Sequence, residues 1–83
     1  MMTEQAVERA RLRWGCYRGM LELDLLLIPF FDRYFDELTA EQKKQFHHLL
    51  SQADPDLFAW LMGHQAVEIE ELKDIVQLIQ ERT

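Results

Sequence analysis

Apolar residues recur along this chain in five bursts, separated by glycines, prolines and short polar stretches. From Thr3 to about Trp14 the spacing of Ala6, Val7, Ala10 and Trp14 predicts a short first helix, with Arg9, Arg11 and Arg13 outside that apolar stripe. Gly15 and Gly19 bracket Cys16-Tyr17-Arg18 and predict a break there. The second helix, Met20 to roughly Phe35, carries Leu21, Leu23, Leu25, Leu26, Leu27, Ile28, Phe30, Phe31 and Phe35, more apolar positions than one stripe holds. It is expected to be the most buried element. A proline inside a helix removes a donor and crowds the preceding turn at a cost of about 3 kcal/mol, so Pro29 predicts a kink or break near Ile28.

Thr39 followed by Gln42 has the form of a capping box, opening a third helix with Phe46, Leu49, Leu50 and Ala53 on one face. Asp54-Pro55-Asp56 is a second start signal, with Asp54 as the N-cap, Pro55 at the first helical position and Asp56 against the positive end of the helix dipole. It opens a short fourth helix, Leu57 to Met62, which Gly63 stops with a left-handed cap. The last helix is predicted from about Glu68 to Gln80, turning Ile69, Leu72, Ile75, Val76 and Ile79 inward. These elements describe an all-α fold, a small five-helix antiparallel bundle in which residues 1–83 form one domain.

A chain of 83 residues buries only about 60% of the surface its unfolded form exposes, which argues against a deep active-site cleft. Its charge is uneven: residues 1–33 balance five basic against five acidic side chains, whereas residues 34–83 hold four against ten and so carry the whole excess of −6. That acidity disfavours nucleic acid as a partner, leaving only a local stripe of Arg9, Arg11, Arg13 and Arg18 for such a role. The apolar run Leu25 to Phe31 is far shorter than the roughly 20 residues of a membrane span. Neither a signal peptide nor a presequence is read at the N-terminus, where Glu4 and Glu8 interrupt the arginines, so a cytoplasmic protein is expected.

Little in the chain suggests catalysis. His47, His48 and His64 follow no metal-ligand spacing, and Cys16, the single cysteine, pairs with no base and orienting group in any known nucleophile pattern. The aromatics fall mainly at core positions, with Trp14 and Tyr17 the least certain of them. What stands out is Arg18-Gly19-Met20-Leu21-Glu22-Leu23-Asp24, polar groups and a flexible backbone point at the mouth of an apolar run. If helical, Arg18 and Glu22 share a face, with Gly19 beside them as a place where another protein's backbone can come close. As an exposed intrahelical pair they would contribute only about 0.2–1 kcal/mol. Buried against a partner, each would cost about 2–5 kcal/mol on truncation.

With Trp14, Cys16, Pro29-Phe30-Phe31, Asp54-Pro55-Asp56-Leu57-Phe58, Trp60-Leu61-Met62 and Leu78-Ile79-Gln80 following in order, the chain resembles the succinate dehydrogenase assembly factor family, the bacterial flavinylation factors of the SdhE type. The likeness runs from about residue 9 to 82 and centres on an Arg-Gly-x-x-Glu signature. It implies a helper protein rather than an enzyme, one that binds the flavoprotein subunit of succinate dehydrogenase or fumarate reductase and promotes covalent attachment of FAD to a histidine there. It further implies that Arg18, Gly19 and Glu22, with Met20 and Asp24, form the partner-binding surface; with no Gly-x-Gly-x-x-Gly turn and no metal-ligand spacing in the chain, the helper is expected to hold no cofactor and no metal of its own. The alternative within the resemblance is an antitoxin or regulatory partner of a membrane-associated toxin.

Overall fold

Local start and stop signals place the helices, and the apolar faces then bring them together. The computed structural model describes residues 3–83. Five α-helices are formed: α1 (Glu4–Gly15), α2 (Leu21–Tyr34), α3 (Ala40–Leu50), α4 (Asp54–Leu61) and α5 (Lys73–Arg82). Single 3-10 turns at Phe35–Glu37 and Glu70–Leu72 follow α2 and precede α5. No strand is present among the described residues.

Thr3 caps α1 by accepting the Ala6 amide at 3.1 Å. Thr39 and Gln42 close the expected capping box on α3, each side chain taking the other's backbone N–H at 3.1 and 2.9 Å. The end of α4 also follows its signal. Gly63 turns left-handed at φ 74°, and the Gly63 and His64 amides donate back to the Trp60 and Ala59 carbonyls at 3.1 and 2.8 Å. This double bond pattern satisfies carbonyls that a helix end otherwise leaves open.

One apolar cluster forms the core, contributed by every helix. The α2 side chains Leu23, Leu27, Phe30 and Phe31 are at most 1% exposed and lie at the spacing of one helical face. Phe46 of α3 meets Phe30, Phe31 and Phe35 with ring centroids 5.8, 6.0 and 5.8 Å away, within the range where aromatic pairs attract beyond simple burial. Helix α5 packs against α2, α3 and α4 through Ile75, Val76 and Ile79. The Gln80 side chain donates to the Trp60 and Leu61 carbonyls at 3.0 and 3.4 Å, tying α5 to the end of α4.

Several expectations are corrected. Helix α2 runs unbroken through Pro29, because Leu25, whose carbonyl loses its helical partner to the proline, lies on the exposed side of the helix. Trp14 does not face the core. The buried positions of α1 and its cap are Leu12 and Cys16, and Trp14, two residues from Leu12, is rotated about 200° around the helix from it. Ala53 is exposed and precedes α4 as its N-cap rather than closing the α3 stripe, so α4 begins at Asp54, before Leu57. Residues 66–69 are not helical. There Val67 and Ile69 reach the core while Ala66 and Glu68 face outward, the two-residue alternation of extended chain.

The stability of the fold is predicted to depend heavily on Phe46. Phe46→Ala removes the ring shared by three other aromatics and leaves a cavity, so urea unfolding of this variant should show a loss of about 3–5 kcal/mol.

Candidate functional site

The break between α1 and α2 is where the polar chemistry gathers. Helix α1 closes with the Cys16 and Tyr17 amides donating to Arg13 and Trp14 carbonyls at 3.1 Å. Gly19 then takes φ 78°, a left-handed conformation that L side chains adopt only with strain. Met20 is extended and precedes α2 as its N-cap. Arg18 therefore lies in a loop and Glu22 in the first turn of α2, and the shared helical face expected for them is not formed.

Arg18 points inward instead. Its guanidinium donates from Nε to the Asp54 carboxylate at 2.7 Å, from Nη1 to the Gly15 and Leu50 carbonyls at 3.1 and 2.8 Å, and from Nη2 to the Gln52 carbonyl at 2.9 Å. Its side chain is only 17% exposed. The carbonyls of Gly15 and Leu50 are the last of α1 and α3, the negative ends of those helix dipoles, and Asp54 opens α4. One side chain thus joins three helix ends. Asp54 is not the N-cap of α4, a place Ala53 takes without a side-chain bond, because its carboxylate is engaged by Arg18.

A second bond holds the same loop from the other side. The Arg18 amide donates to Asp24 of α2 at 2.7 Å, and the Met20 side chain packs on the core. Arg18, Met20 and Asp24 thereby fix the turn, while Gly19 and Glu22 stand on its exposed side. A Cβ placed on Gly19 would meet no atom within 4 Å. The glycine is required here by its backbone angle, and the space in front of it is open.

Around this turn the structure exposes apolar side chains, of which the sequence pattern puts Trp14, Leu21 and Leu25 among the helical apolar positions and leaves Tyr17 open. Trp14 is 74% exposed, Tyr17 46%, Leu21 67% and Leu25 63%. Trp14 and Tyr17 flank the loop before Arg18, and Leu21 and Leu25, four apart on α2, follow it. The surplus of apolar positions in residues 20–35 was the available signal, since one helix cannot bury all of its faces in so small a bundle. Their positions are partly fixed. The Trp14 and Tyr17 rings are 5.5 Å apart, and Arg13 donates to the Tyr17 hydroxyl at 3.2 Å while its guanidinium forks onto Asp32 at 2.8 and 3.0 Å.

Three of the four arginines that offered a stripe for phosphate, all but Arg11, are each paired with an aspartate. Arg9 is held by Asp36 at 2.8 Å, Arg13 by Asp32 at 2.8 Å and Arg18 by Asp54 at 2.7 Å. Hydrogen bonds from Arg13 and Arg9 hold the Asp32 and Asp36 carboxyls below the usual carboxylate range. Cys16 is fully buried, and burial pushes its thiol up to about 12. A thiol so protonated is a poor nucleophile at neutral pH.

Comparison with known proteins gives a consistent picture. Residues 10–83 match the protein family described as the flavinator of succinate dehydrogenase. The chain is 52% identical over 81 residues to the FAD assembly factor SdhE of Idiomarina loihiensis, covering 96% of this chain and 90% of that one. It is 54% identical over 76 residues to the FAD assembly factor SdhE of Colwellia psychrerythraea, covering 92% and 84%. It also superposes on the solution structure of a UPF0350 protein with TM-score 0.76 at 46% identity, over 99% of this chain and 85% of the other.

Three predictions follow from the geometry of the site. Arg18→Ala strands a half-exposed carboxylate and three carbonyls, and should lower stability by about 2–4 kcal/mol. Glu22→Ala, at an exposed position, should stay within about 0.5 kcal/mol of the parent in the same thermal melt. Cys16 should resist a thiol-specific reagent at pH 8 until urea unfolds the chain. Between the ordinary thiol value of about 8.5 and the folded value, the unfolded chain releases this proton and the folded chain keeps it. This residue's contribution to stability is therefore complete below that range and is lost as pH rises through it.

Proposed function

The chain belongs to the flavinators of succinate dehydrogenase, helper proteins rather than enzymes, and from that premise we propose that it binds the flavoprotein subunit of succinate dehydrogenase through the face around residues 14–25. The related fumarate reductase subunit is a second client in this reading, and the encounter takes place in the cytoplasm. Binding promotes covalent attachment of FAD to the client, and the helper keeps no FAD of its own. Every regular element among the described residues is helical, so the strand, glycine turn and helix that cradle a dinucleotide in nucleotide-binding folds do not arise.

The observation that carries the reading is the exposed apolar set of Trp14, Tyr17, Leu21 and Leu25 around a glycine whose outer side is open. Aromatic and aliphatic side chains held against a braced turn can be buried by a partner with little loss of conformational freedom. Gly19 admits close backbone approach, and Glu22 supplies a charge at the rim. Arg18, Met20 and Asp24 belong to the same surface as the groups that shape it. No helix of the described chain is long and apolar enough to cross a membrane, which suits a partner that meets its client before or beside the membrane complex.

In this mechanism the helper contributes position rather than a reacting group. The client's own histidine and flavin form the bond, and the helper fixes the client domain in the geometry where they meet. Holding reacting groups in register can lower a barrier by several kcal/mol without new chemistry.

The test is in-gel fluorescence of covalent flavin on a co-produced dehydrogenase flavoprotein subunit. The signal should require this chain. Trp14→Ala should weaken association about 30-fold, the loss of a hot-spot side chain, and Glu22→Ala should reduce flavinylation while its melt stays unchanged. Equal covalent flavin with and without the chain would refute the reading.

A further inference from the structure

Arg18 is held by three carbonyls and one carboxylate. The carbonyls belong to the backbone and are present whatever the side chains. Asp54 is the one charged partner and the one that a substitution can remove, and it stands 36 residues away in sequence. It is not the N-cap of its own helix, a position Ala53 takes, and its carboxylate reaches across to Arg18 instead. Pro55 stiffens the helix start on which it stands, because its φ is preset and its missing N–H would be unpaired there anyway. A carboxylate on a rigid mount, 2.7 Å from Nε of a side chain only 17% exposed, is arranged to hold that side chain in one place.

We propose that Asp54 is a positioning residue for the docking turn: by anchoring the Arg18 side chain it sets the backbone of Arg18, Gly19 and Met20, and so the presentation of Tyr17, Gly19 and Glu22 to the flavoprotein. The inference rests on the docking reading given above. Without Asp54, the guanidinium charge faces carbonyls alone and is freer to turn toward water. The loop then keeps the bond from the Arg18 amide to Asp24 and the backbone carbonyls as acceptors, but loses the one charged partner that fixes the guanidinium. Asp54 itself need not touch the client, so its loss is felt through the shape of the turn.

The experiment compares the parent with Asp54→Ala and Asp54→Asn in two measurements. Amide hydrogen exchange of the free protein should speed up at least about tenfold at the Arg18 amide, which donates to Asp24 in the parent, in both variants, with the α3 and α5 amides little changed. In flavinylation of the co-purified client subunit, the variants should need about tenfold more protein for the half-maximal rate and reach the parent's plateau at saturation. A merely destabilised protein raises that concentration only by the inverse of its folded fraction, so a variant whose thermal melt shows it more than about nine-tenths folded cannot owe a tenfold shift to unfolding. Arg18→Ala with Asp54→Ala should be no worse in half-maximal concentration than Arg18→Ala alone, because the two act as one unit. Asp54→Asn keeps the shape of the side chain and carries both measurements if Asp54→Ala does not fold. Unchanged exchange at the Arg18 amide, or an unchanged half-maximal concentration, overturns the proposal. If the parent itself gives no flavinylation, the docking reading fails, and hydrogen exchange alone decides whether Asp54 holds the turn.

Discussion

A single guanidinium closes this fold at the point where its chain is least regular. Helix ends leave carbonyls without partners, and α1 and α3 both end beside the same loop. Arg18 meets both ends, with the Gln52 carbonyl and the Asp54 carboxylate completing its set of acceptors. Five donors in a planar fork allow one arginine to do this where a lysine's point charge would not. The negative ends of two helix dipoles and the carboxylate together offset the cost of taking the charge partly out of water.

That closure explains how a short loop can be both exposed and ordered. Gly19 reverses the chain at φ 78°, a step that by itself would leave a flexible hinge. With Arg18 held by side chain and amide, the freedom on one side of the glycine is removed. Tyr17 is steadied separately, through Arg13 and Asp32. The apolar side chains beside the turn are therefore offered in a limited set of arrangements, which suits recognition of a partner better than it suits folding. Burying Leu21 and Leu25 inside the bundle was not open to the chain, because Leu23, Leu27, Phe30 and Phe31 already occupy the inward face of α2.

Much of the architecture was legible from local chemistry. The Thr39 and Gln42 box, the Gly63 cap, the inward face of α5 and the break between Gly15 and Gly19 all depend on residues a few positions apart, whose geometry the backbone imposes. Two errors share one cause. Asp54 passed for a cap and Arg18 for an exposed partner of Glu22, and in both the residue type and spacing allowed the local reading while the contact between these distant residues chose otherwise. Trp14 passed for a core residue because its spacing fitted a stripe that the bundle buries through Leu12 and Cys16 instead.

Residue order alone determined that this chain is helical, where most of its helices begin and end, and that the segment around Arg18, Gly19 and Glu22 is unlike the rest. These follow from hydrogen bonds and steric limits that act within one or two turns. Tertiary structure decided which apolar residues remain outside and which charge goes in. Those outcomes depend on how many faces a small bundle can cover and on which helix ends meet, and Arg18 and Asp54, 36 positions apart, become partners only when three helices converge on one loop.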